Sequence, residues 1–346
     1  MANYIGLDIK KNTLRFASVK KQDEQLLVTN YDEVIVEGNL YKPSLTQPTQ
    51  LKDEMRALFN QHKLKQDYII YSDFGFNLLI KNTKIIESLN KDKIREAVFM
   101  ELGSSISVPF EEMTFDILSA KATEKQVSEP EEKGKLKKKQ SKQSEKVEQE
   151  VNIVVANEKD LIYVGDAITE SNNIPYAVEM SALAYHRLFS HFSSQKMKRN
   201  MYLLLELNCG EAVMTVMHKG VPIYTQYAEY NPDHWKTELA SQTKRSWIEE
   251  WSFDEVYERN KLLSTIDSIN RMINTFSNMS SGSGIKYVML VGENPLIDYG
   301  VSDFLSEHVD VPVVPANLNI IDKRGKSIPK RFYKAAGLGL KKEELI

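Results

Sequence analysis

The chain has 346 residues, 42% hydrophobic and 27% charged, with a net charge of −3. That length is enough for two domains, the balance is that of a globular protein, and the near-neutral charge excludes a global pull toward nucleic acid. A single cysteine, Cys209, excludes an internal disulfide and a cysteine-built zinc cluster, and reads as a small buried apolar residue. No stretch reaches the ~18 apolar residues that a bilayer span needs. The opening MANYIGLDIK, its short apolar run interrupted by Asp8, reads neither as a signal peptide nor as a membrane span. The expectation is a cytoplasmic protein that reaches the inner face of a membrane only through a partner.

Tyr4 to Ile9, Thr13 to Lys20 and Leu26 to Val36 read as three strands, the first two joined by the tight turn Lys10-Lys11-Asn12. A meander at this position, with no glycine-rich loop leading into a helix, excludes a dinucleotide-binding fold. Leu51, Met55, Leu58 and Phe59 mark a helix over Gln50 to Leu64. Strands at Tyr68 to Tyr71 and Phe76 to Ile80 precede a helix that Asn90 caps, with Ile94, Ala97 and Val98 on its apolar face. Pro109, in Ser107 to Phe110, is expected to break that helix, and Met113 to Leu118 is a strand. From Ala120 to Glu150 Lys, Glu, Gln and Ser dominate and aromatics are absent, so a disordered excursion is expected. Its basic half, Lys133 to Lys142, reads as a solvated face and not as a nucleic-acid or lipid site. Val151 to Val155 is a buried strand, followed by a helix (Glu158 to Glu170), a strand (Tyr176 to Val178), a helix (Ser181 to Phe192) and a polar junction (Ser193 to Asn200).

The second half opens on the same meander: Met201 to Leu207, Ala212 to His218 and Val221 to Tyr227, with a hairpin turn at His218-Lys219-Gly220. Helices are expected around His234 to Glu250 and Phe253 to Met279, with Trp247 and Trp251 sharing a core face. Gly282 to Gly284 is a loop, Lys286 to Val291 a strand ending at Gly292, Val301 to His308 a helix, Val311 to Val314 a strand, and Arg331 to Leu340 a helix of small residues. Strand–turn–strand–strand followed by helices therefore occurs twice, which is an internal repeat. Histidines are scattered, with no HExxH pair and no face shared by His186 and His191; Walker-A spacing and a Gly-x-Ser-x-Gly elbow are absent too.

Gly6-Leu7-Asp8-Ile9-Lys10-Lys11-Asn12-Thr13-Leu14 resembles the first phosphate motif of the actin-like ATPases, and Leu205-Glu206-Leu207-Asn208-Cys209-Gly210 the second. Met289-Leu290-Val291-Gly292-Glu293-Asn294-Pro295 resembles their adenosine motif, and Ala335 to Leu340 their closing helix. Within that superfamily the chain resembles PilM, the actin-like component of type IV pilus assembly. The resemblance rests on Ile94 to Glu101 with Ser107 to Glu112, on Ile153 to Ala156 with Ile174 to Glu179, and on chain length. It implies an α/β fold of the actin-like ATPase (ribonuclease H-like) kind, with two similar domains. Domain I spans residues 1–195 with an inserted side subdomain at about 75–172; domain II spans 196–330; residues 331–346 return to domain I.

The resemblance further implies ATP and Mg²⁺ as cofactors. Asp8, Lys10, Lys11, Asn12, Thr13, Glu206, Asn208, Gly210, Gly292 and Glu293 would line that site, with Asp8 and Glu206 toward the metal. It also implies a PilN-like inner-membrane partner, whose cytoplasmic tail lies in a groove between the inserted subdomain and its neighbour; Phe99, Met100, Leu102 and Phe110 are the groove residues carried over. The motifs depart from the pattern. Lys10 stands where glycine is usual, Glu206 where aspartate is, Asn208 where glycine is, and Glu293 replaces half of a glycine pair. Close backbone approach to phosphate needs glycine, so a degenerate site without competent ATPase activity is expected, and Lys10 and Lys11 read as exposed turn lysines. The expected function is a scaffold of a type IV pilus-like or type II secretion-like platform. The alternatives are an active actin-like ATPase or sugar kinase, and an FtsA-like membrane tether. The last expects a terminal amphipathic helix, and Lys341 to Ile346 is too short and polar for one.

Overall fold

The computed structural model describes residues 3–22, 25–36, 38, 40, 46–72, 78–87, 90–122, 147–192, 200–229, 259–279, 284–298 and 300–341. They form two compact units, one of residues 1–78 with 158–346 and the other Leu79–Asn157.

The larger unit holds two sheets. In the first, β1 (Tyr4–Ile9), β2 (Thr13–Gln22) and β3 (Gln25–Ile35) form the expected antiparallel meander. β4 (Tyr68–Ser72) and β8 (Ile174–Glu179) extend it in parallel on the β1 side. β14 (Ile321–Asp322), too short to leave a periodic signal, adds to the β3 edge, giving the order β14-β3-β2-β1-β4-β8. The second sheet repeats the plan with β9 (Met201–Leu207), β10 (Glu211–His218), β11 (Val221–Glu229), β12 (Val288–Gly292) and β13 (Val313–Pro315), in the order β11-β10-β9-β12-β13. Central strands β1 and β9 are buried on both faces, which explains why they read as continuous apolar runs.

Helices cover these sheets. Ile5, Leu7 and Ile9 of β1 pack with Leu51, Met55 and Phe59 of α1 (Pro48–Gln61) and with Val164 and Ile168 of α3 (Glu158–Glu170). The other face of β1 receives α7 (Tyr333–Gly339), which also packs on α4 (Ser181–Phe192). Gly6 permits this: a Cβ there would lie 1.9 Å from the Ala335 carbonyl oxygen. Ala335, Ala336, Tyr185 and Leu188 form one cluster with Tyr202 and Leu204 of β9, so α7 and α4 belong to a core shared by both sheets. The far side of the second sheet packs on α5 (Leu263–Met279) through Ile266, Ile269 and Ile273, with Val301 and Leu305 of α6 (Val301–Ser306). The expected helix at 234–250, the start of the one at 253–279, both tryptophans and most of the 282–284 loop lie outside the described residues.

The smaller unit is a three-stranded sheet, β5 (Leu78–Glu87), β7 (Val147–Asn157) and β6 (Met113–Ala122) in the order β5-β7-β6, with α2 (Lys91–Glu101) on it. Ile94 and Val98 of α2 meet Ile85, Val151, Ile153 and Val155. Asn90 caps α2 as expected, its side-chain oxygen accepting from the amides of Asp92 (2.8 Å) and Lys93 (3.4 Å). Three expectations need correcting. The helix ends at Glu101, the last residue of the expected helical period, and what stops it is not the Ser107 to Phe110 segment: Leu102 already turns extended (φ −64°, ψ 130°). The strands flanking the polar segment are longer than their composition suggested, pairing as far as Ala122 with Gln149, so the ends of the expected 120–150 excursion are β-structure. Residues 123–146 lie outside the described residues. Finally, the compact unit is Leu79–Asn157, smaller than the expected 75–172, because α3 packs on α1 of the larger unit.

Candidate functional site

The two meanders place their turns, Lys10-Lys11-Asn12 and Asn208-Cys209-Gly210, beside one another, together with the end of β12. Each turn is closed by backbone bonds: the Lys10 amide donates to the Thr13 carbonyl (2.8 Å), and the Asn208 amide to that of Glu211 (2.9 Å). Asn12 is used through its carbonyl, which accepts from the Val36 amide at 2.7 Å, while the Thr13 hydroxyl reaches the Asn12 side chain at 3.2 Å. Gly210 holds a left-handed φ of 82°. At Gly292 (φ 119°) a Cβ would lie 2.1 Å from the Leu207 carbonyl oxygen, which itself accepts from the amides of Glu293 and Asn294, both at 3.1 Å. The remaining glycine of the adenosine motif thus locks β12 to β9.

The site interior is filled with charge. Lys10 and Lys11, expected to be exposed, are 4% and 7% exposed. Their side chains turn inward because carboxylates of the second half are within reach. Lys10 Nζ pairs with Glu206 Oε1. Lys11 Nζ lies 2.7 Å from Glu229 Oε1 and 3.8 Å from Glu211 Oε2. Lys334 of α7 bridges Asp8 Oδ1 (2.8 Å) and Glu206 Oε1 (3.3 Å). Glu206 Oε2 accepts from the Ser181 hydroxyl at 2.7 Å, and Asn208 Nδ2 donates to both Glu206 and Glu211 at 3.3 Å. Beside the end of β12, fully buried Arg15 pairs with Glu293 and, at 2.7 Å, with Glu33, which Arg331 also holds at 2.9 Å.

Burial works against the charges of Glu206, Lys10, Arg15, Glu33 and Glu211, and the partners decide the outcome. For Glu206 burial pushes the carboxyl pKa up, but Lys10 and Lys334 overcome it and hold it well below the ordinary range. For Lys10 burial pushes the ammonium pKa down, yet Asp8, Glu206 and Glu293 raise it well above its usual value. Arg15 is raised in the same way against burial, chiefly by Glu293 and Glu33. Glu33 is lowered, with Arg15 and Arg331 outweighing burial. Glu211 goes the other way: burial raises it, and Lys10 and Lys11 do not compensate. Burial and the Glu206 charge push the Tyr185 hydroxyl up.

All ten residues expected around a nucleotide lie on these two turns, on the strands beside them, or at the end of β12. The sequence reading missed Arg15, Ser181, Glu211 and Lys334. A signal existed for Lys334: it is the one charge in α7, where every residue is buried, and a lone lysine there must have a partner. The donor set fits Mg²⁺ poorly, since that ion takes near-octahedral oxygen ligands and keeps several waters. Asp8 and Glu206 meet two ammonium groups instead, and among the described residues no cluster of three or more His, Cys, Asp or Glu could hold a metal. A cavity of ≈360 Å³ opens at the edge of the Arg15 network, lined by Gly292, Glu293, Asn294, Ile297, Lys330 and Arg331; Lys10 and Glu206 do not line it.

In the smaller unit the four expected partner-binding residues divide. Phe99 and Met100 stand on the outer side of α2, 68% and 76% exposed. Leu102 and Phe110 pack partly buried against the subdomain core.

No protein-family model and no curated protein matches the chain. Solved structures do. Two sheets that share one five-strand plan, the first with β14 added at its edge, meet through α7 with the turns of both meanders at one site, which is the arrangement of the actin-like ATPase fold. MreB5 of Spiroplasma citri bound to ADP is similar at TM-score 0.50 and 8% identity, covering 100% of this chain and 97% of that one. The chain is also similar to the structure of a PilM-PilN type IV pilus biogenesis complex, at TM-score 0.73 and 16% identity, covering 98% of this chain and 98% of that one. Among the described residues no helix is long and apolar enough to cross a membrane.

Proposed function

We propose that the protein is a scaffold of a type IV pilus-like or secretion-like assembly platform, working at the cytoplasmic face of a membrane by holding the tail of a PilN-like membrane protein. The observation that carries this reading is the adjacent pair Phe99 and Met100, large apolar side chains left to solvent on a helix whose other face is fully used. Apolar anchors of this size at a protein surface are what interfaces use. A solved structure of the same shape is a complex of PilM with PilN. In this reading the phosphate-side residues serve architecture, and ATP turnover is no part of the function.

A photocrosslinker installed at Phe99 in the protein's own cells tests the proposal. The expected product joins it to a membrane-spanning protein through a short cytoplasmic tail. Phe99→Ser with Met100→Ser should release the protein from the membrane fraction and leave its melting temperature unchanged, because neither side chain is core. Phe110→Ala should instead lower the stability of the smaller unit. Crosslinks to soluble proteins only, or membrane association untouched by the double variant, would discard the reading.

A further inference from the structure

We infer that the first hairpin and α7 carry built-in occupants of the site: the ammonium groups of Lys10 and Lys334 stand where a metal–nucleotide would, and with Lys11 and Arg15 they clasp the two sheets together without a ligand. This goes beyond the partner reading and does not depend on it.

The division of charge is the first argument. Lys10, Lys11 and Arg15 all come from β1–β2 of the first sheet, and their partners Glu206, Glu211, Glu229 and Glu293 all come from the second half of the chain. Every one of these pairs crosses between the two repeats. In a site built for phosphates both turns would face a shared anion with backbone amides and glycines. Here one turn supplies cations and the other anions, so they satisfy each other, and a polyphosphate would meet the buried carboxylates of Glu206, Glu211 and Glu293.

The second argument is the place of Lys334. Its Nζ lies between Asp8, at the end of β1, and Glu206, at the end of β9. Those are the two carboxylates that the motifs direct toward a cation. A fixed ammonium there needs no dehydration of Mg²⁺ and no second ligand. Its stem is buried in α7, whose seat on Gly6 leaves no space for the helix to shift. The departures from the phosphate motifs therefore form one compensated set: Lys10 with Glu206, and Glu293 with Arg15. These pairs join the two repeats in the free chain.

The test uses thermal unfolding of the full chain with Mg²⁺ alone and with Mg²⁺–ATP. For the wild type no shift is expected at millimolar concentrations of either. Lys10→Gly combined with Lys334→Met strips both ammonium groups from Asp8 and Glu206, and should create a dependence on divalent cation. Millimolar Mg²⁺ should raise the melting temperature of that variant by about 2 °C, the gain from occupancy at about ten times the dissociation constant in a chain of this size. If the double variant does not fold in chelator, it should refold when Mg²⁺ is supplied. Two results would overturn the inference. One is a rise in the wild-type melting temperature with Mg²⁺–ATP, which means that the lysines yield to a ligand. The other is a double variant indifferent to Mg²⁺, folded or not, which means that they do not stand in for a cation.

Discussion

Glu211 is completely buried, with one oxygen accepting from Asn208 at 3.3 Å and the other no nearer a cation than Lys11 at 3.8 Å. Burial raises its pKa above the ordinary 4.5 despite Lys10 and Lys11, and Glu206 and Glu293 push in the same direction. The folded state then holds the Glu211 proton more tightly than the unfolded chain does. Stability attributable to this group falls as pH rises from about 4.5 through the folded pKa. Glu211→Gln should therefore stabilise the protein at pH 8 by about 1 kcal/mol, the low end of the penalty for a poorly satisfied buried polar atom, and by nothing at pH 4. Denaturant unfolding across that range measures it; a gain independent of pH would contradict the assignment. Glu206 has the opposite sign. Its pKa is depressed, so its stabilisation is complete above 4.5 and is lost only as pH falls through the low folded value. Glu206→Gln at pH 7 should cost about 3–5 kcal/mol, as breaking a buried pair does.

At the scale of elements, α7 shows how a short helix can organise a large unit. It lies on β1 through Gly6 and on α4 through Gly337, where a Cβ would come 2.2 Å from the Ala184 carbonyl oxygen. Arg187 donates to the Gly337 carbonyl at 3.0 Å and pairs with Glu179, which Lys341 also reaches at 2.8 Å. Gly6→Ala must push α7 off the strand, and should destabilise by more than about 3 kcal/mol, beyond the usual overpacking range; calorimetric unfolding checks it, and a loss under 1 kcal/mol (roughly one ordinary substitution) would show the seat to be soft. The strands and helices that pack here were readable from the sequence because period and apolar runs are local properties: β1, α3, α4 and β9 begin and end where the residues predict. What failed was whatever tertiary partners decide. Turn lysines are exposed by default, and nothing near Lys10 in sequence announces Glu206, 196 residues away. Arg15 lies 278 residues from Glu293. The strands around the polar segment were cut short because Lys121, Glu148 and Glu150 are exposed and lack the apolar alternation that marks a buried strand. The break after α2 was assigned to the segment around Pro109, the visible backbone restriction, while the chain turns already at Leu102, whose sequence carries no such signal.

For the whole molecule the question is what an actin-like fold does once its phosphate turns are given over to ion pairs. Hydrolysis needs a phosphate chain, a metal and a water fixed within a few tenths of an ångström, and the volume between the turns is taken by Lys10, Lys334 and their carboxylates. In the proposed scaffold reading, binding a partner needs no occupied nucleotide site, and the cross-sheet pairs of Lys10, Lys11 and Arg15 are made without one. Purified protein should accordingly release no phosphate from Mg²⁺–ATP above the rate of buffer. The variant carrying Lys10→Gly, Asn208→Gly and Glu293→Gly restores the missing glycines, but it should be no more active, since Lys334 still bridges Asp8 and Glu206 and Arg15 has lost Glu293. Adding Lys334→Met to that set removes the last ammonium from Asp8 and Glu206, and nucleotide affinity should then become measurable by calorimetry. The control is Glu206→Ala in the wild type. Steady phosphate release from the wild type that this substitution abolishes would mean that the carboxylate works on a nucleotide and not on lysine, and the protein would be an ATPase after all.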